Sequence, residues 1–204
     1  MIWACHSNMK ILAFVDSHGN KKAMDVLERE SKKVDLILCA GDISIFEQDL
    51  DKILKRMDGW GKPILMLHGN HESEADMARA CKGLQNIEFF HKKAKLINNI
   101  LFMGFGGGGF EKKTPEMADF FKSRKILLNS AKTKVFIFHA PPYDTKLDHI
   151  GSSHNGNHTS KELILEYEPD LVVCGHFHEN ANKRERLGKG VLLNPGPSGW
   201  VVEL

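Results

Sequence analysis

The 204-residue chain has only four cysteines, at Cys5, Cys39, Cys81 and Cys174, and no two are spaced as a metal knuckle or a disulfide framework requires. That excludes a fold stapled by sulfur chemistry. Cys39 and Cys174 lie in strand-like runs and are expected to act as small buried hydrophobes. No apolar run approaches the roughly 18 residues of a membrane-spanning helix, so no membrane association is expected. The N-terminus lacks the basic, apolar and small-residue order of an export signal, and a cytoplasmic protein is expected. A charge excess of one sign is also missing: 28 basic and 26 acidic residues leave a formal +2, spread without a tail or block. Such a surface gives no ground for stable nucleic-acid binding. With no internal repeat or linker, and 42% hydrophobic content, residues 1–204 are expected to form a single domain around one sizeable core. Residues 1–8, ahead of Met9-Lys10-Ile11, are expected to be a loosely ordered extension.

Short aliphatic runs at residues 11–15, 36–40, 64–67, 135–138 and 171–174 alternate with amphipathic stretches at 20–33, 46–57 and 73–81. That alternation predicts βαβ units, with helices covering a sheet. A change of pattern follows Phe89-Phe90. Residues 94–97 and 100–105 flank Asn98-Asn99 and predict a hairpin, because asparagine tolerates positive φ. One helix is expected over 114–131, opened by a hydroxyl cap at Thr114 and by Pro115, and another over 159–166. The tail, 183–187, 191–193 and 200–203, reads as short antiparallel strands. Residues 141–158 form the one long loop, and a loop beyond about 12–15 residues is often functional.

Histidine, aspartate and glycine stand where those aliphatic runs end: Asp16-Ser17-His18, Gly41-Asp42, Gly69-Asn70-His71, His139 and Gly175-His176-Phe177-His178. Each fragment alone says little, since Asp and Gly are ordinary turn residues. Their co-occurrence predicts a dinuclear metal site. Asp42 offers a carboxylate able to bridge two cations, and Asn70 a neutral amide oxygen. His18, His139, His176 and His178 offer imidazole nitrogens suited to manganese, iron, zinc, cobalt or nickel rather than calcium. Two divalent cations, set against two aspartates and a bridging hydroxide, leave about one positive charge, which attracts and orients a phosphoryl group.

In their order these fragments resemble the calcineurin-like metallophosphoesterases, over Asp16 to His178. The resemblance implies an α/β fold, a four-layer α/β/β/α sandwich of the metallo-dependent phosphatase type, with two metals in a cleft. It implies that Asp16, His18, Asp42 and His178 hold one metal and Asp42, Asn70, His139 and His176 the other, with manganese favoured. The expected activity is hydrolysis of a small phosphodiester, a nucleotide among the candidates. A metal-bridging hydroxide would attack phosphorus and His71 would act as general acid. A phosphomonoesterase using the same site is the alternative; a nuclease or a non-catalytic interaction scaffold fits less well.

The chain also departs from relatives. Many carry a second aspartate, in Gly-Asp-x-x-Asp, that supports the catalytic histidine; Ile45 stands there, leaving Glu72 or a carboxylate of the long loop as the expected substitute. Protein serine/threonine phosphatases have arginines at the positions of Phe46 and His68, so a phosphoprotein substrate is disfavoured. The stretch from His139-Ala140-Pro141-Pro142 to Asp148, with Asn194-Pro195-Gly196-Pro197, is similar to a branch of small prokaryotic phosphoesterases related to animal brain metallophosphoesterases. In that branch a His-x-Gly-Ser element follows, for which His154-Asn155-Gly156-Asn157 is the nearest match. Gly106 to Gly109 lack the Lys-Ser/Thr of a phosphate loop and read as a turn near the cleft. His149, His154 and His158 read as solvent-exposed loop residues, with contact to substrate or to an extra metal as the alternative. His6, His68 and His91 have no assigned role. Trp3, Trp60 and Trp200 are candidates for an exposed patch in a homo-oligomer.

Overall fold

A computed structural model describes residues 8–204. The expected extension falls, but for Asn8, outside these residues, as do Trp3, Cys5 and His6. In chain order the elements are β1 (Lys10–Phe14), α1 (Lys21–Ser31), β2 (Leu36–Cys39), α2 (Leu50–Asp58), β3 (Ile64–Met66), α3 (Glu74–Ala80), β4 (Ile87–Phe89), β5 (Lys93–Ile97), β6 (Ile100–Phe105), α4 (Pro115–Lys122), α5 (Lys125–Ser130), β7 (Thr133–Phe138), β8 (His149–Ile150), β9 (Ser153–His154), α6 (His158–Tyr167), β10 (Leu171–Val173), β11 (Lys183–Leu187), β12 (Gly190–Asn194) and β13 (Trp200–Glu203). A single 3₁₀ turn, His178–Asn180, follows β10.

These build two main sheets, ordered β13-β1-β2-β3-β4 and β11-β12-β10-β7-β6-β5, and a small antiparallel pair of β8 with β9. All pairings from β1 to β4 are parallel, as are β6 with β7, β7 with β10 and β10 with β12. Parallel strands covered on both faces read as unbroken aliphatic runs. On β1, Ile11 and Ala13 face the second sheet, meeting Val135, Ile137 and Val173, while Leu12 and Phe14 face Met24 and Leu27 of α1. On the far side Leu101, Met103 and Phe136 pack on Met117, Phe121, Leu128 and Leu163 from α4, α5 and α6. The result is the four-layer α/β/β/α arrangement. Among the described residues no helix is long and apolar enough to cross a membrane.

Several expectations need correction. The tail is not purely antiparallel: β12 lies parallel to β10, and β13 joins the other sheet beside β1. The helix expected over 114–131 is two, because Ser123 Oγ donates to the Phe120 carbonyl and Arg124 N–H to that of Phe121, tightening the turn. Thr114 does not cap α4 with its side chain. The stretch at 46–57 becomes helical only from Leu50, since Phe46, Glu47 and Asp49 have φ of 47°, 59° and 55°. Asn98 and Asn99 take φ of 49° and 64°, as the hairpin reading required. Cys39 and Cys174 are fully buried, as expected. Trp60 and Trp200 are half-buried rather than exposed.

Candidate metal centre

Parallel strands align their carboxyl ends, and ligands of open α/β sheets bind there. The segments after β1, β2, β3, β7 and β10 therefore meet, although Asp16 and His178 lie far apart in sequence. Asp16 Oδ2 accepts the backbone N–H of His176 at 2.9 Å, tying the two sheets' edges of the site together. Gly175 has no alternative, because a Cβ there would collide with Val15 and the Asp16 carboxylate. Asp16, His18, Asp42 and His176 have φ of 56°, 43°, 54° and 70°. Non-glycine residues rarely adopt this left-handed region, at about 1–2 kcal/mol each, and clustered strain of this kind marks functional sites.

Ligand-type atoms of Asp16, His18 and His178 lie within 4.8 Å of one another, as do those of Asp42, His139 and His176, and of His18, Asp42 and His71. Nε2 of His18 and Nε2 of His178 face each other at 3.1 Å. His18 Nδ1 sits 3.0 Å from the Ser44 carbonyl, and His139 Nδ1 2.9 Å from that of Ala40. Those carbonyls accept only from protonated Nδ1 atoms, which leaves each Nε2 lone pair for a cation. Asn70 Oδ1 is 3.0 Å from His139 Nε2. Asp16 Oδ1 and His176 Nε2 are buried with no hydrogen-bond partner. Buried acceptors left this way are costly, and a divalent cation satisfies them. All seven residues expected to be ligands are thus brought together, and the donor set fits metal.

Electrostatics agree. Burial pulls His176 down to about 4, helped by His139, so its ring is neutral at pH 7. Burial also opposes charge on His139, but the Asp42 carboxylate beside it outweighs this and lifts it to about 9. Asp42 in turn is held well below the carboxylate range by His139 and the His71 N–H, against its burial. Beside Asp16 and His18 opens a cleft of about 360 Å³, bounded by His178, Ala181 and Pro197, the scale of a small-molecule site.

A family model described as "Calcineurin-like phosphoesterase" matches residues 9–180. The chain belongs to the calcineurin-like phosphoesterases, a family of metal-dependent hydrolases. Among solved structures it resembles the protein TT1561 of Thermus thermophilus, with a TM-score of 0.76 at 19% identity over 94% of this chain and 91% of that one. It also resembles an archaeal phosphodiesterase, with a TM-score of 0.52 at 16% identity over 92% and 84% of the two chains. Purple acid phosphatase PPD1 of yellow lupin gives a TM-score of 0.59 at 12% identity over 84% of this chain and 38% of that one. At these identities the likeness concerns the fold. No curated protein sequence matches significantly.

Two expectations for this calcineurin-like phosphoesterase fail. Glu72 does not support His71: its carboxylate accepts from the backbone N–H groups of Asp42, Ser44 and Gly69 at 2.8–3.0 Å and from Ser44 Oγ at 2.7 Å. Nor does the long loop supply a carboxylate, for His71 Nδ1 is buried without a partner. The imidazole instead packs against rings, 4.8 Å from His18 and 4.6 Å from Phe46 between centroids, while the residue's backbone N–H donates to Asp42 Oδ1 at 2.9 Å.

The second concerns the loop at 141–158, which is built around the buried Asp148. Its carboxylate accepts from Asp144, Thr145 and Gly156 N–H at 2.9–3.0 Å and from His154 Nδ1 at 2.6 Å. His149, His154 and His158 are half-buried, not solvent-exposed as expected. Sequence carried no sign of Asp148's role, because most of its partners are backbone amides. Burial pushes the Asp148 carboxyl up, but these donors outweigh it and hold it below its ordinary value of 3.8. A depressed carboxyl stabilises above its unfolded pKa and ceases to do so as pH falls through the folded one. Asp148→Ala is expected to cost about 3 kcal/mol in urea unfolding at pH 7, with the deficit shrinking below about pH 4. A deficit that stays constant down to about pH 2 would contradict the linkage.

Proposed function

We propose that the chain is a dinuclear-metal-dependent phosphoesterase that cleaves small phosphodiesters. The supporting observation is the reach of Asp42, whose carboxylate lies within 4.8 Å of ligand atoms both of His18 and of the His139–His176 pair. Asp16, His18 and His178 with Asp42 would hold one cation, and Asn70, His139 and His176 with Asp42 the other. Bound there, divalent cations, manganese by preference, supply an activated water for attack on phosphorus and positive charge opposite the phosphoryl oxygens. The protein's own part is to orient the donors, exclude solvent beneath them and provide a proton. His71 delivers that proton to the leaving oxygen as the phosphorus–oxygen bond breaks.

A diester is favoured by charge. Among the described residues no lysine or arginine bonds to the centre, and His68 and Phe46 stand where protein phosphatases place guanidiniums. A diester brings one negative charge to the cations, whereas a monoester dianion brings two and would profit from such a group. The test is turnover of bis(4-nitrophenyl) phosphate against 4-nitrophenyl phosphate in the manganese-loaded protein. Faster diester cleavage is expected; cleavage of the monoester alone would transfer the assignment to a phosphomonoesterase. His71→Ala is expected to keep both metals and lose about 10²–10³ in kcat with methyl phenyl phosphate, whose leaving group needs a proton. The loss should be smaller with nitrophenyl esters. Equal losses for both leaving groups would remove the acid role.

A further inference from the structure

Large apolar side chains exposed beside a polar site need a reason. Phe46 is 73% and Phe110 64% exposed, and both lean on residues of the metal centre. Phe46 lies 4.6 Å from the His71 ring, and Phe110 lies 4.8 Å from that of His176. His71 groups with His18 and Asp42, and His176 with Asp42 and His139, so one phenylalanine stands against each half of the centre.

Neither position is an accident of a loose loop. Phe46 and Glu47 are consecutive residues with φ of 47° and 59°, a conformation that bulky side chains avoid. Glu47 anchors that turn by accepting the N–H of Ser73, which opens α3, at 2.9 Å. Phe110 follows Gly107, Gly108 and Gly109, with φ of 76°, 97° and 46°. The chain passes so near the centre there that a Cβ on Gly109 would sit 3.4 Å from Asn70 Cβ and 3.6 Å from His176 Cε1. The glycine run thus has a use other than cradling phosphate: it lays the backbone over the centre and delivers Phe110 to its rim.

We infer that Phe46 and Phe110 are specificity residues that stack on a flat aromatic substituent of the phosphoester, of the nucleobase or aryl class. This deepens the phosphoesterase reading and rests on it. Ring faces are the recognition surface available: an aromatic group stacks on them without needing particular polar partners, and covering them removes exposed apolar area.

Phosphonates, whose carbon–phosphorus bond resists hydrolysis, separate binding from turnover. Calorimetry on the manganese-loaded protein would compare phenylphosphonate, cyclohexylphosphonate and methylphosphonate. Wild type is expected to bind the phenyl compound about tenfold tighter than the methyl one, with cyclohexyl well behind phenyl. Phe46→Ala/Phe110→Ala is expected to lose most of that preference, and Ile126→Ala, at an exposed apolar site on α5, to keep it. Equal affinity of wild type for all three would overturn the inference while leaving the metal centre in place; binding of none would overturn the phosphoesterase reading itself. A preference retained by the double variant, with a reduced mass in light scattering, would overturn it too, and would mean that the two rings join copies of the chain.

Discussion

Glu72→Ala is expected to lower stability by about 3–6 kcal/mol and to weaken metal binding in the same step. The carboxylate receives three backbone N–H groups and one hydroxyl, and it is 3% exposed. Those donors belong to two chain segments, Asp42 with Ser44 after β2 and Gly69 after β3. Both segments carry residues of the centre. Alanine would strand four buried donors at once, and each unsatisfied group costs about 1–3 kcal/mol, less whatever water recovers. Glu72→Gln is the sharper variant, because it keeps the volume while turning an NH₂ group toward donors that need an acceptor. It should stay folded yet bind manganese at least about tenfold more weakly, read by urea unfolding and by metal titration. A glutamine variant with unchanged metal affinity would show that the two segments hold their places without this tie.

This residue also marks where sequence reading stops. The chemistry at the strand ends was legible because parallel strands bring distant fragments to one edge, and an ordered set of Asp, Asn and His there has few other uses. The aliphatic runs revealed the strands for the same reason, being covered on both faces. Glu72 and Asp148 were not legible, since each serves backbone amides, and an amide leaves no trace in the sequence. With Ile45 in place of an aspartate, Glu72 is one expected partner of His71; in the structure the two neighbouring side chains diverge, one into the backbone and one toward Phe46 and His18. The late start of α2 has a similar origin. Residues 46–49 have helix-compatible side chains, but tertiary contacts hold Phe46 and Glu47 in left-handed backbone, overriding their propensity. Only the exposure of Phe46 in the fold then gives that departure a meaning.

The largest loss of activity is expected for Asp42→Asn. An amide offers one oxygen and no charge. It could still accept the His71 N–H that Asp42 Oδ1 now accepts at 2.9 Å, but it could not also supply an anionic oxygen toward His139, whose Nε2 lies 3.4 Å from Oδ2. Gly69 packs so closely on this carboxylate that even a Cβ there would strike it, so the side chain cannot swing to compensate. Cations sharing the site would lose the negative charge between them, and metal analysis should fall from two equivalents to one or fewer. Losing the activated water together with several kcal/mol of charge stabilisation corresponds to about 10⁴-fold or more in kcat/KM. The fold should survive, because asparagine tolerates the left-handed backbone that Asp42 occupies at φ 54°. His139 provides an independent readout in the metal-free protein: with the Asp42 charge gone, burial dominates and its pKa should drop from about 9. Asp16→Asn is the control, since Asp16 groups with His18 and His178 alone and should cost no more than one metal. An Asp42→Asn protein that keeps two metals and near-normal turnover would leave the centre without its bridge.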